Sequence, residues 1–140
     1  MIRMNPYLAF GGRCRDAMTF YREVLGGELT LQTVAESPLA ARCPEGMHDQ
    51  IMHSVLAGDG FLLMGTDMTR PGETNGSGAG MAVALDFDDG DETGRCFAAL
   101  ADGGAVVDPL ERRPWGALFG VVQDRFGKVW MLSHRTEEPS

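Results

Sequence analysis

Apolar and polar positions along this chain follow helix and strand periods in one order, and that order occurs twice. Asn5 to Phe10 reads as a short strand that ends at Gly11-Gly12. Cys14, Ala17, Met18, Tyr21, Val24 and Leu25 then recur at three- and four-residue spacing, which lines one face of a helix. Gly26-Gly27 follows, where a helix end favours a left-handed residue. Leu29 to Ala35 alternates as a strand. Glu36 to Asp49 contains Pro38, Pro44 and Gly46 and reads as an irregular connection with one helical turn. Ile51 to Ala57 and Phe61 to Thr66 are two strands, and Gly58-Asp59-Gly60 between them is a hairpin signal.

Residues 67–80 are rich in Gly, Thr, Pro, Ser and Asn and read as a linker. Beyond them the pattern restarts. Met81 to Phe87 is a strand, and the acidic run Asp88-Asp89-Gly90-Asp91-Glu92 offers a cap and a dipole-matched first helical turn. Phe97, Leu100 and Ala101 continue that helix to Gly103-Gly104. Ala105 to Leu110, Ala117 to Gln123 and Val129 to His134 follow as strands, and Thr136 to Ser140 is a polar tail. Phe10 and Phe87, Phe20 and Phe97, and Gly26-Gly27 and Gly103-Gly104 lie 77 positions apart. Gly60 and Gly127, and Met64 and Met131, lie 67 apart, so the first half carries about ten extra residues in its Pro-rich connection. The organisation is therefore a βαβββ module over 1–66, a Gly-rich linker over 67–80 and a second βαβββ module over 81–135. One module leaves a sheet face uncovered, so the two are expected to combine into one compact α+β domain.

Composition narrows the function classes. The 140 residues are 44% hydrophobic and 23% charged, ordinary values for a globular protein. The net charge is −8 and Lys and Arg are scattered, which argues against a nucleic-acid partner, since phosphate binding needs clustered cations. No apolar run reaches the roughly 18 residues of a membrane helix, and the N-terminus has no apolar signal core. Cys14, Cys43 and Cys96 cannot all pair within one chain, and two of them fall on apolar helix stripes. A reducing, cytoplasmic setting is the expectation.

Three stretches carry a family resemblance. Ala17-Met18-Thr19-Phe20-Tyr21-Arg22-Glu23-Val24-Leu25-Gly26-Gly27 resembles the A-x-x-F-Y-x-x-x-L-G helix of the vicinal oxygen chelate superfamily, which includes glyoxalase I, extradiol dioxygenases and bleomycin resistance proteins. Asp124-Arg125-Phe126-Gly127 resembles its D-P-D-G turn. Pro6-Tyr7-Leu8-Ala9-Phe10, Ile51-Met52-His53 and Trp115-Gly116, with Asp124-x-Phe126-Gly127-x-x-Trp130, are similar to the PhnB-like branch. The resemblance implies eight strands in two curved sheets around a cup, and a homodimer with pockets completed across its interface. A methyltransferase name attached to some relatives finds no support here, because no G-x-G-x-x-G follows a strand.

The superfamily's enzymes carry metal ligands on the first and last strand of each module. By resemblance those positions fall at Asn5 or Pro6 and at Met64 in the first half, and at Ala82 or Val83 and at Met131 in the second. A divalent ion needs several converging O or N donors, and this set does not supply them. No metal or other cofactor is therefore expected. His53, in mid-strand, is the best polar group for a cup and the one candidate catalytic residue, although a strand histidine hydrogen-bonded for structural reasons is the more ordinary reading. His48, five residues earlier, would face the other side of a straight strand. Tyr7, Met64, Met131 and Trp115 complete the candidate pocket. Trp115 serves equally as a dimer anchor, and Tyr7 as an ordinary strand tyrosine. Trp130 should point to the helix side and pack in the core, and Asp124 should bond its own turn.

No G-x-S-x-G, H-E-x-x-H or C-x-x-C is present. Three readings follow: a metal-free homodimer that binds a small apolar or amphipathic molecule, a glyoxalase- or dioxygenase-type enzyme with a displaced ligand set including His53, and a scaffold whose cup is filled by its own side chains.

Overall fold

The computed structural model describes residues 1–68 and 80–135. Most of the expected linker and the polar tail thus lie outside the described residues. The elements are β1 (Tyr7–Ala9), α1 (Cys14–Leu25), β2 (Glu28–Thr33), β3 (Ile51–Gly58), β4 (Phe61–Thr66), β5 (Val83–Phe87), α2 (Gly90–Ala101), β6 (Ala105–Arg112), β7 (Ala117–Gln123) and β8 (Val129–Arg135). Two short 3₁₀ turns, Ala40–Arg42 and Glu45–Met47, stand where one helical turn was expected. The protein is α+β, with two four-stranded sheets ordered β1-β4-β3-β2 and β5-β8-β7-β6. In each, the first strand pairs parallel to the last and the other pairings are antiparallel. The chain divides into two compact units between β4 and β5.

In the first unit α1 buries Cys14, Ala17, Met18 and Tyr21, the front of the expected apolar stripe. Its N-terminus has no local cap, because Arg13 makes no side-chain capping bond. A distant carboxylate supplies one. Asp67, just past β4, accepts from the backbone N–H of Gly12 and of Cys14 through Oδ1, both at 2.8 Å. Its Oδ2 accepts from Ile51 N–H at 2.8 Å, so one side chain ties the helix start to the start of β3. The helix-facing side of this sheet is marked by Gly65, where an added Cβ would meet Phe10, Met18 Sδ and Ser54. Side chains alternate along a strand, so Met64 and its in-register neighbours Tyr7 and Val55 lie on the face away from α1.

The second unit repeats the plan with different chemistry. Here Asp89 caps α2 by accepting from Glu92 N–H at 3.1 Å, as the acidic run suggests. Thr93, Cys96, Phe97 and Leu100 form its buried face. Gly120 faces α2, since a Cβ there would strike the Phe97 ring, so Phe119 and Val121 lie on the opposite face. β6 continues past Leu110 to Arg112 although it contains Pro109. It is an edge strand with register shifts around that residue, where a missing N–H breaks no central ladder.

The turn glycines match in geometry across the halves. Gly26 and Gly103 both have φ 79°, and Gly60 and Gly127 have φ 83° and 85°. Gly27 and Gly104 are glycine because a Cβ would run into backbone, at Ala57 in the first unit and at Gln123 and Asp124 in the second. In the last hairpin Asp124 is buried and accepts from Phe126 N–H at 2.8 Å and Lys128 N–H at 3.0 Å. It also accepts from the indole N–H of Trp130 at 2.8 Å, and Trp130 is fully buried on the helix side, as expected.

Candidate functional site

The open face of the first sheet holds three of the candidate pocket residues. Tyr7 and Met64 are register partners across the parallel β1–β4 pair. His53 is one pleat further along β3, opposite Gln32, and its imidazole stacks on Tyr7 with ring centroids 5.8 Å apart and planes 27° apart. Tyr7 is half exposed, and among the described residues the His53 imidazole makes no hydrogen bond.

The open face of the second sheet forms a concavity of about 440 Å³. Asp86 and Phe87 enter it from β5, Ala117 and Phe119 from β7, Ser133 and Arg135 from β8, and Trp115 from the turn before β7. Asp86, Ser133 and Phe119 are successive register partners across three strands, so they stand in one row. Ser133 O–H donates to Asp86 Oδ1 at 2.7 Å. Trp115, largely exposed, meets Phe119 edge-on with centroids 6.2 Å apart. The Arg113 guanidinium stands 5.6 Å from the Phe119 centroid while bonded to Asp108 at 2.8 Å. Trp115 therefore belongs to this cavity. Met131 shares its sheet face, paired with Ala84 and Val121, but does not line it. Asp86, Phe119, Ser133 and Arg135 were not anticipated. The signal that could have found them is register: Asp86 lies two residues beyond Ala84, as Ser133 lies two beyond Met131.

On the first and last strand of each module, where the family resemblance places metal ligands, register gives the neighbours of the two methionines. Register sets Tyr7, rather than Asn5 or Pro6, beside Met64, and Ala84, rather than Ala82 or Val83, beside Met131. Asn5 and Pro6 precede the strand, and Pro6 takes part only by accepting from Met64 N–H at 3.0 Å. Neither pair, a phenol with a thioether in the first unit or a methyl group with a thioether in the second, supplies the several hard or imidazole donors that a divalent cation needs. Among the described residues no three His, Cys, Asp or Glu side chains group closely enough to hold a metal ion.

The remaining singled-out groups have local roles. His48 Nε2 lies 2.9 Å from the Ala40 carbonyl and 3.3 Å from that of Cys43, closing the irregular connection. His134 Nδ1 lies 2.9 Å from the Phe87 carbonyl across the β5–β8 pair. Cys14 is buried 3.4 Å from Ser54 Oγ, and burial pushes its thiol up to about 11. Burial raises Cys96 as well, so neither is an activated nucleophile.

Comparison with known proteins agrees with this geometry. The family model described as Glyoxalase/Bleomycin resistance protein/Dioxygenase superfamily matches residues 3–132. Protein YjdN of Escherichia coli K12 is 32% identical, with 98% of each chain covered. The crystal structure of PA1353 from Pseudomonas aeruginosa is 37% identical with a TM-score of 0.84, covering 96% of this chain and 98% of that one. A structure from Bacillus cereus titled as a putative 3-demethylubiquinone-9 3-methyltransferase, PhnB protein, shares the fold at 23% identity and a TM-score of 0.75, covering 95% and 99%. With two βαβββ units and a model match over nearly its whole length, the chain belongs to the Glyoxalase/Bleomycin resistance protein/Dioxygenase superfamily.

Proposed function

We propose that the protein is a cytoplasmic homodimer that binds a small amphipathic molecule without a metal ion. The observation that carries this reading is the lack of metal donors in two pairs, Tyr7–Met64 in the first unit and Ala84–Met131 in the second, on the first and last strands where the family resemblance places ligands. The concavity beside Trp115 and Phe119 supports it, since an aromatic wall with a few polar groups is the usual make-up of a small-molecule site. The free state of all three cysteines supports a reducing compartment, and the exposed Trp115 is suited to a subunit contact.

Two measurements test the reading. Elemental analysis of untagged protein is expected to find Zn, Ni, Mn and Fe far below one per chain. One tightly held ion per subunit would overturn it and favour the enzyme with a displaced ligand set around His53. A thermal-shift screen of aromatic metabolites and drugs is expected to give concentration-dependent stabilisation, because a ligand that binds only the folded state raises its stability by mass action. A flat screen would favour the self-filled scaffold.

A further inference from the structure

The cavity of the second unit has a chemical bias. Ser133 directs its one O–H to Asp86 Oδ1, so its hydroxyl has only acceptor capacity left. Among the described residues the other Asp86 oxygen takes no hydrogen bond, and Asp86 forms no ion pair. The polar corner therefore offers acceptors and an uncompensated negative charge. Arg135 is the nearest cation on the lining, but it is exposed, one row further along the sheet opposite Ala117, and is not bonded to Asp86. The Trp115–Phe119 edge pair lines the same cavity. A carboxylate and aromatic faces share one preference, since each attracts a cation.

We propose, building on the small-molecule reading above, that this cavity takes a small aromatic amine in its protonated form, with the ammonium on Asp86 and the ring along Trp115. The test is calorimetric titration of the full chain, in low salt near neutral pH, with phenethylamine, 2-phenylethanol and phenylacetate. These three probes share a ring and differ in charge. Asp86 is exposed, so phenethylamine is expected to bind about three- to fivefold more tightly than the alcohol, the size of one exposed ion pair. Asp86→Asn, with folding checked by circular dichroism, should erase that advantage. Arg135→Ala should strengthen amine binding about twofold, as removal of an exposed like charge does. Tighter binding of phenylacetate, equal binding of all three probes, or an amine preference that survives Asp86→Asn would each overturn the inference while leaving the small-molecule reading intact. Absence of any binding by phenethylamine would also overturn it, and the broader ligand screen and metal analysis then judge the small-molecule reading on their own.

Discussion

Replacing Asp67 with Ala removes the acceptor for three backbone N–H groups at once. Two of those donors, on Cys14 and Ile51, are in buried bonds, and both residues are less than 2% exposed, so water cannot replace the lost oxygen without opening the core. A buried donor left unsatisfied costs roughly 1–3 kcal/mol. The third, on Gly12, is only part-buried and can turn to water. Loss of a negative charge at the start of α1 adds about 0.3–1 kcal/mol through the helix dipole. Asp67→Ala is therefore expected to lower unfolding free energy by roughly 2–7 kcal/mol, a large share of the roughly 5–15 kcal/mol typical of folded proteins. Asp67→Asn keeps one oxygen and should cost about half as much. Urea titration followed by circular dichroism gives both values, and an unchanged m-value would place the effect in the folded state. Hydrogen exchange supplies a second readout, since the Cys14 and Ile51 amides should lose protection first. An Asp67→Ala protein within about 1 kcal/mol of the parent, with those amides still protected, would refute the reasoning.

Other expectations can be checked alongside. Gly94 lies inside α2 with open space where a Cβ would go, so Gly94→Ala should raise stability by about 0.5–1 kcal/mol in thermal melts. Gly104→Ala, where the methyl would strike backbone, should lower it by more than about 2 kcal/mol or prevent folding. The Cys14 thiol rises from 9.0 to about 11 on folding, so the folded chain keeps that proton longer than the unfolded one. Its contribution is full below pH 9 and is lost as pH rises towards 11, which should appear as roughly 2–3 kcal/mol of alkaline destabilisation in the parent that Cys14→Ala lacks. With a thiol reagent at neutral pH, half-buried Cys43 should react first, and buried Cys14 and Cys96 only as the protein unfolds.

Local features were readable from the residues, and features built by long-range pairing were not. α1 begins at Cys14 and ends at Leu25, where its apolar stripe begins and ends, and β4 and β7 run over Phe61–Thr66 and Val-rich Ala117–Gln123 as their flanking glycine signals require. The repeat offsets held at the level of φ, because a left-handed turn leaves glycine little competition. Asp67 could not be read as a cap, since its partners are 53 and 55 positions away at α1 and 16 away at β3. The Asp86–Ser133 bond spans 47 positions and exists only through the parallel β5–β8 pairing. Tyr7 and His53 are both candidate pocket residues from the sequence, but their stacking depends on the pairing of β1, β4 and β3 and is not legible there.

Among the described residues each hydrogen-bonded ladder lies inside its own half, with no strand lent to the other sheet. A doubled chain of this kind can hold its skeleton constant through a few glycines and still let the bare side of each copy evolve alone. One copy has arrived at an imidazole–phenol pair, the other at a carboxylate–hydroxyl pair beside an indole. Twin frameworks, so built, are free to become chemically unlike.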